Sequence, residues 1–217
     1  MAFLFTHEWI AKLALQKIKK KKLVSNYSNI DDYFFGAIAP DIRYVNNSLQ
    51  NVTHQPIAEN KKSSFAAGFE THLIVDDIWS NKTGWLDKSL YEFYGINVND
   101  PKQKFALYFL VDDYFQSEAS WLFPLECAGY ILRANEYGDL LKLGFSNNEV
   151  LLYKSLAAVY LREPGIDTFN ALNFIPSKLD EMLIRRVLEE KKVLTSILKE
   201  FKKVSIEKCA AYLEAYL

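Results

Sequence analysis

The sequence predicts an all-α fold, a single compact bundle of seven or eight helices, and three observations carry that expectation. Apolar residues recur with a period near 3.6 behind residues that cap helices. No segment pairs a turn signal with flanking alternation, so hairpins have no support. Glycine and proline together supply 8 + 6 = 14 of 217 residues, too little turn chemistry for a many-stranded architecture. A chain of this length removes roughly 70% of its unfolded surface from water, enough for one domain over 1–217 without staples.

The first helix is expected from Thr6, as its cap, to about Lys20, with Trp9, Ile10, Leu13 and Ile18 on the apolar side. Lys19 to Lys22 close it, where cations suit the helix dipole. Ser28-Asn29-Ile30-Asp31 reads as a cap leading into a short helix with Tyr33 and Phe34. From Gly36 to Asn60 no period is sustained, which predicts a long loop of the kind that carries function. Helices then follow over Ser63 to Trp79 and near Lys88 to Tyr94. Asp100-Pro101, a cap with proline in the first turn, opens Lys102 to Gln116. Ser120 to Tyr137 is bent or restarted at Pro124, and Ser146-Asn147-Asn148-Glu149 has capping-box spacing ahead of a helix to Arg162. Pro176 to Phe201 and Ser205 to Leu217 read as two more amphipathic helices.

Charge is balanced, 26 basic against 27 acidic residues, so no stable nucleic-acid complex is expected. Cys127 and Cys209 cannot form a disulfide framework, which fits a reducing, cytoplasmic setting. The apolar run at the N-terminus stops after five residues with no basic residue before it, so no secretory leader is expected, and no stretch reaches membrane-span length. GxxxxGK[ST], GxGxxG and GxSxG are all missing, which leaves nucleotide-cradling loops and serine hydrolase chemistry unsupported.

Only three histidines occur, His7, His54 and His72, all in the first third of the chain. His72 and Asp76, four apart, project from one face of a predicted helix within reach of one cation, or of each other as a hydrogen-bonded pair. Phe65, Gly68, Phe69 and Trp79 share that stripe, and a glycine one turn before His72 leaves room for neighbours. Asp41 and His54 lie in the expected loop, and His7 stands one step inside the first helix. Imidazole and carboxylate donors from separate elements make an N/O site suited to zinc, and also to manganese, iron or nickel. A lone histidine on a half-buried helix is, by itself, more often a satisfied core residue.

Four strings sharpen this reading: Thr6-His7-x-x-Ile10-Ala11, Gly36-Ala37-Ile38-Ala39-Pro40-Asp41-Ile42, Thr53-His54, and Phe65-Ala66-Ala67-Gly68-Phe69-x-x-His72-Leu73-x-x-Asp76. In this order, over residues 6 to about 80, they resemble the zinc-dependent phospholipase C family, whose helical fold is shared with fungal-type single-strand nucleases. The resemblance implies that Asp41, His54, His72 and Asp76 hold one metal, that Asp76 bridges to a second, and that His7 is a ligand of the second. It implies hydrolysis of phosphoric esters by a metal-activated water, with Asp41 nearest that water and able to take its proton. Residues 81–217 complete the bundle around this site.

The chain departs from the family in informative places. No histidine follows His72, so the family's later HxxxE ligands and a full three-metal cluster are excluded, leaving one or two ions. Tyr108 stands where that histidine is expected, and Asp112 and Asp113 are the nearest substitutes. Asp112 is therefore a further metal candidate, as against a cap or salt bridge, and Asp77 a candidate for supporting the ligands from behind. The family's processed N-terminal amine is not expected as a ligand, because Met1 and Ala2 lie several residues before His7. Arg43, Tyr44, Trp9 and Trp79 are candidates for a substrate pocket, with core packing the alternative for the tryptophans. Five lysines within Lys17 to Lys22 suit phosphates or lipid head groups, or simply a solvated helix end.

The expected function is a metal-dependent phosphoric ester hydrolase acting on a small phosphoester or a lipid head group. The alternative is a non-catalytic helical metalloprotein or interaction module with a closed, structural metal. Helical phosphohydrolases of the other type need an adjacent His-Asp pair, and here Gln55 follows His54 and Leu73 follows His72.

Overall fold

A computed structural model describes residues 4–19, 29–46, 50–56, 63–80, 85–97, 99–163, 168 and 180–216. Its regular elements, among the described residues, are all helical. They are α1 (Leu4–Lys19), α2 (Ile30–Ile38), a 3₁₀ turn (Ala39–Ile42), α3 (Arg43–Asn46), α4 (Gln50–Thr53), α5 (Ser64–Ser80), α6 (Trp85–Tyr94) and α7 (Pro101–Glu118). There follow α8 (Phe123–Arg133), α9 (Gly138–Lys142), α10 (Asn147–Arg162), α11 (Glu181–Glu189) and α12 (Lys191–Tyr216). None of these helices is long and apolar enough to cross a membrane.

This is more helices than the seven or eight expected, chiefly because the stretch taken for a loop is helical in short pieces. From Asp32 to Arg43 every side chain is buried. A helix enclosed on all sides has no polar face, so it leaves no 3.6 period to read. Pro40 then tightens the chain into the 3₁₀ turn, since its missing N–H suits a helix start.

Caps explain most boundaries. The Asn29 side chain accepts from the Asp31 and Asp32 amides at the start of α2, whereas Ser28 lies outside the described residues. Asp100 caps α7 with Pro101 in its first turn, and Ser146 and Glu149 form the expected capping box on α10. Thr6 is not a cap: α1 begins at Leu4, and Thr6 sits inside its first turn. Lys20 to Lys22 lie outside the described residues.

The C-terminal helices also divide elsewhere than predicted. The break falls at Glu190, and α12 runs unbroken through Lys202 to Ser205. A tertiary contact holds the break, because the Tyr94 hydroxyl donates to the Glu190 carbonyl (3.0 Å) and accepts from the Leu194 amide (3.3 Å). One side chain thus satisfies two backbone groups that a continuous helix would pair internally.

The crossing of α2 and α5 positions the site. An added Cβ on Gly36 would lie 2.1 Å from the Phe65 carbonyl oxygen, and one on Gly68 would lie 1.9 Å from the Tyr33 carbonyl oxygen. The two helices therefore touch backbone to backbone, which brings the Ala37 carbonyl to 2.9 Å from His72 Nδ1. Around this crossing α1 packs on α12, α7 and α2, while α8 lies between α2 and α10. Buried apolar residues from Leu4 to Leu213 form one continuous core.

Candidate metal centre

Four elements converge on one buried spot. α1 contributes His7, the 3₁₀ turn Asp41, the residue after α4 His54, and α5 both His72 and Asp76. His7 Nε2 lies 3.3 Å from Asp76 Oδ1. His54 Nε2 lies 3.1 Å from Asp76 Oδ2 and 4.0 Å from Asp41 Oδ1. His72 Nε2 is 3.6 Å from Asp76 Oδ2 and 3.4 Å from His54 Nε2. The rings of His7 and His72 stack with centroids 3.7 Å apart. Two overlapping triads, His7–Asp41–His72 and His54–His72–Asp76, bring their donor atoms within 4.8 Å of one another. These groups can hold a metal ion.

Hydrogen bonding shows which atoms are available. A carbonyl oxygen only accepts, so His72 Nδ1 carries a hydrogen for Ala37 O, and Nε2 is left facing the cluster. His54 Nδ1 is similarly occupied by the Thr53 hydroxyl at 2.9 Å. This is how metal-binding imidazoles are commonly fixed from behind. The Asp76 oxygens face the imidazoles of His7 and His54, and His7 Nδ1 finds no hydrogen-bond partner among the described residues.

Electrostatics point the same way. Counted as ionised, the two carboxyls and the Arg43 guanidinium sum to −2 + 1 = −1 in a group that is almost wholly buried. Burying like charges and lone pairs face to face is costly unless a cation lies among them. Burial by itself would raise the Asp76 carboxyl, yet positive charge around it, His72 included, holds it well below the usual carboxylate range. Burial is also the largest influence on His54, pushing its imidazole down despite the pull of Asp76.

The other candidates separate by position. Arg43 borders the cluster, with Nη2 3.4 Å from Asp41 Oδ1 and donating to the Tyr44 hydroxyl at 2.8 Å. Burial pushes the Tyr44 phenol up, so it stays protonated and its ring rests edge-on to Phe105. Trp79 does not line a pocket; it is fully buried against Tyr108 and Phe201 in the core. Trp9 packs on Phe123 of α8, with Lys12 over the same Phe123 ring, rather than on the cluster. Asp77 and Asp113 are exposed, so neither stands behind the ligands.

Asp112 also differs from its expected role as a metal candidate. Its carboxylate is taken up by the Phe5 amide (3.2 Å), the Thr6 amide (2.8 Å), the Thr6 hydroxyl and the Tyr160 hydroxyl (3.0 Å). Tyr108, in the place expected for a ligand histidine, is enclosed by Trp79 and Phe105. Ala37 and Thr53 are supporting residues that residue-type reasoning missed. A Thr-His dipeptide is a weak signal for the second, and a backbone carbonyl gives no signal at all.

Glu8, beside His7 in sequence, is fully buried against Cys127 of α8. Burial pushes its carboxyl well above the ordinary range, with Cys127 offsetting a little. A raised folded pKa means that the native state binds the proton more tightly than the unfolded chain. The stabilisation is complete below the unfolded carboxyl range and is lost as pH rises toward the folded value. We expect wild-type stability to fall as pH rises above the ordinary carboxyl range, and a Glu8→Gln variant to show a flatter profile in urea unfolding. Parallel profiles would refute this account of Glu8.

Comparisons of the chain with protein-family models, curated proteins and solved structures give no match.

Proposed function

We propose that this chain is a metal-dependent phosphoric ester hydrolase of the phospholipase C kind, with His7, Asp41, His54, His72 and Asp76 as ligands of one or two divalent ions. The observation carrying the reading is the convergence of three imidazoles and two carboxyls from four elements on one buried spot, with donor atoms close enough to share an ion. Zinc suits this mixed N/O set best, with manganese, iron and nickel as the competing ions. A divalent ion held there would supply Lewis acidity to a phosphoryl oxygen and lower the pKa of a water ligand toward roughly 7.

The chain's own residues do the rest. Asp41 takes the proton of the attacking water, and Arg43, braced by Asp41 and Tyr44, sets positive charge beside the phosphoryl oxygens. The near-neutral balance of 26 basic and 27 acidic residues favours a small phosphoester or lipid head group over nucleic acid.

One observation favours a second reading, a closed structural metal in a non-catalytic module. His7 and His72 are fully buried and the His54 side chain is only 9% exposed, whereas catalytic ions keep a position open to water.

Metal analysis of the purified protein, run beside a His72→Ala variant, tests both readings together with assays on a generic phosphodiester and phosphomonoester. We expect near-stoichiometric metal and hydrolysis in the wild type, with both lost in the variant. Equal trace metal in the two proteins would end the metal-centre reading. Bound metal with no turnover under zinc, manganese or nickel would favour the structural one.

A further inference from the structure

We infer that Asp112 is a positioning residue for the metal centre, pinning the first turn of α1 from α7 and so aiming His7 at Asp76. The inference rests on the metal-centre reading and names a role that the ligand set does not contain.

The argument starts from how each ligand is held. His72 is fixed by the Ala37 carbonyl, His54 by the Thr53 hydroxyl, and Asp41 by Arg43. His7 has no such backing partner among the described residues: Nε2 faces Asp76 Oδ1 at 3.3 Å, and Nδ1, behind it, makes no hydrogen bond. Its ring stacks on the face of His72, and its aim depends on the backbone turn that carries it. In that turn the Phe5 and Thr6 amides, near the start of α1, point to a side chain outside the helix.

Asp112, more than 100 residues away in sequence, supplies the missing acceptor. It receives the amides of Phe5 and Thr6 and the hydroxyl of Thr6, the residue immediately before His7. Tyr160 of α10 donates to the same carboxylate, which fixes its orientation from the far side. A carboxylate at a helix N-terminus is also well placed against the helix dipole. With Asp112 and Tyr160 both fully or almost fully buried, the link is rigid, and a small shift of this turn would carry His7 Nε2 away from its 3.3 Å approach to Asp76.

A merely structural cap would change stability without caring whether His7 is present, and this difference gives the test. Cobalt(II) serves as the probe, because its visible absorption reports the ligand set as well as the affinity. In Asp112→Asn the amide nitrogen cannot accept from the Phe5 amide, while the side chain keeps its size. We expect at least tenfold weaker cobalt binding and an altered absorption band, approaching those of His7→Ala. Tyr160→Phe, a milder change that keeps the packing, is expected to shift both in the same direction by a few fold. In a His7→Ala background, Asp112→Asn should weaken binding no further.

Wild-type affinity and spectrum in both Asp112→Asn and Tyr160→Phe would overturn the inference. So would an equal loss with and without His7, which would make Asp112 a general support of the fold. Failure of the wild type itself to bind cobalt would instead remove the metal-centre reading and this inference with it. Should Asp112→Asn fail to fold, Tyr160→Phe alone and in the His7→Ala background decides the matter by the same comparison.

Discussion

Replacing Gly68 by alanine will destabilise this protein by about 3 kcal/mol or more, at the upper end of what forced insertion into a packed interior costs. The added methyl would sit 1.9 Å from the Tyr33 carbonyl oxygen and 2.9 Å from the Ala37 amide nitrogen. Both are backbone atoms of a buried helix, so no flexible side chain can move aside. Relief requires α2 and α5 to separate, and separation stretches the 2.9 Å contact between Ala37 O and His72 Nδ1. The same substitution should therefore weaken metal binding as well as lower the urea midpoint. Gly138→Ala provides the control, since a Cβ there meets nothing within 4 Å. Equal midpoints for the two variants would show that the close crossing is not as tight as the geometry states.

Chelation gives the second large effect. An ion present at a thousand times its dissociation constant stabilises the folded state by roughly 4 kcal/mol. In a chain of this size that corresponds to about 10 °C in Tm. Stripping the purified protein should lower its Tm by about that amount while leaving it folded at 25 °C, and added zinc should restore it. His72→Ala should be indifferent to both treatments. A wild-type Tm that ignores chelator and zinc alike would count decisively against the ion, whereas unfolding at 25 °C on stripping would point to the structural role.

The His/Asp cluster was legible in the sequence as a set of metal candidates because its chemistry is written in residue types. Three histidines among 217 residues, two of them placed with aspartates at helical or loop positions, are conspicuous before any coordinates exist. The second layer was not legible. Asp112 looked like a substitute ligand because its type suits a metal, yet four hydrogen-bond donors from two distant helices already claim it. Trp79 looked equally suited to a pocket wall or to the core, and its neighbours decided for the core.

What the sequence determined on its own was local: the helical class, the caps at Asp100 and Ser146, and the identities of the five metal candidates. Caps and 3.6 periodicity involve residues within four positions of each other, so nearby residue types suffice to specify them. Tertiary structure alone decided the helical winding of 36–42, the break at Glu190 under the Tyr94 hydroxyl, and the grip of Asp112 on α1. Each depends on burial from every side, or on a side chain meeting backbone atoms about a hundred positions away. Those backbone groups are the same in every residue, so nothing in the order of side chains announces which of them will be met.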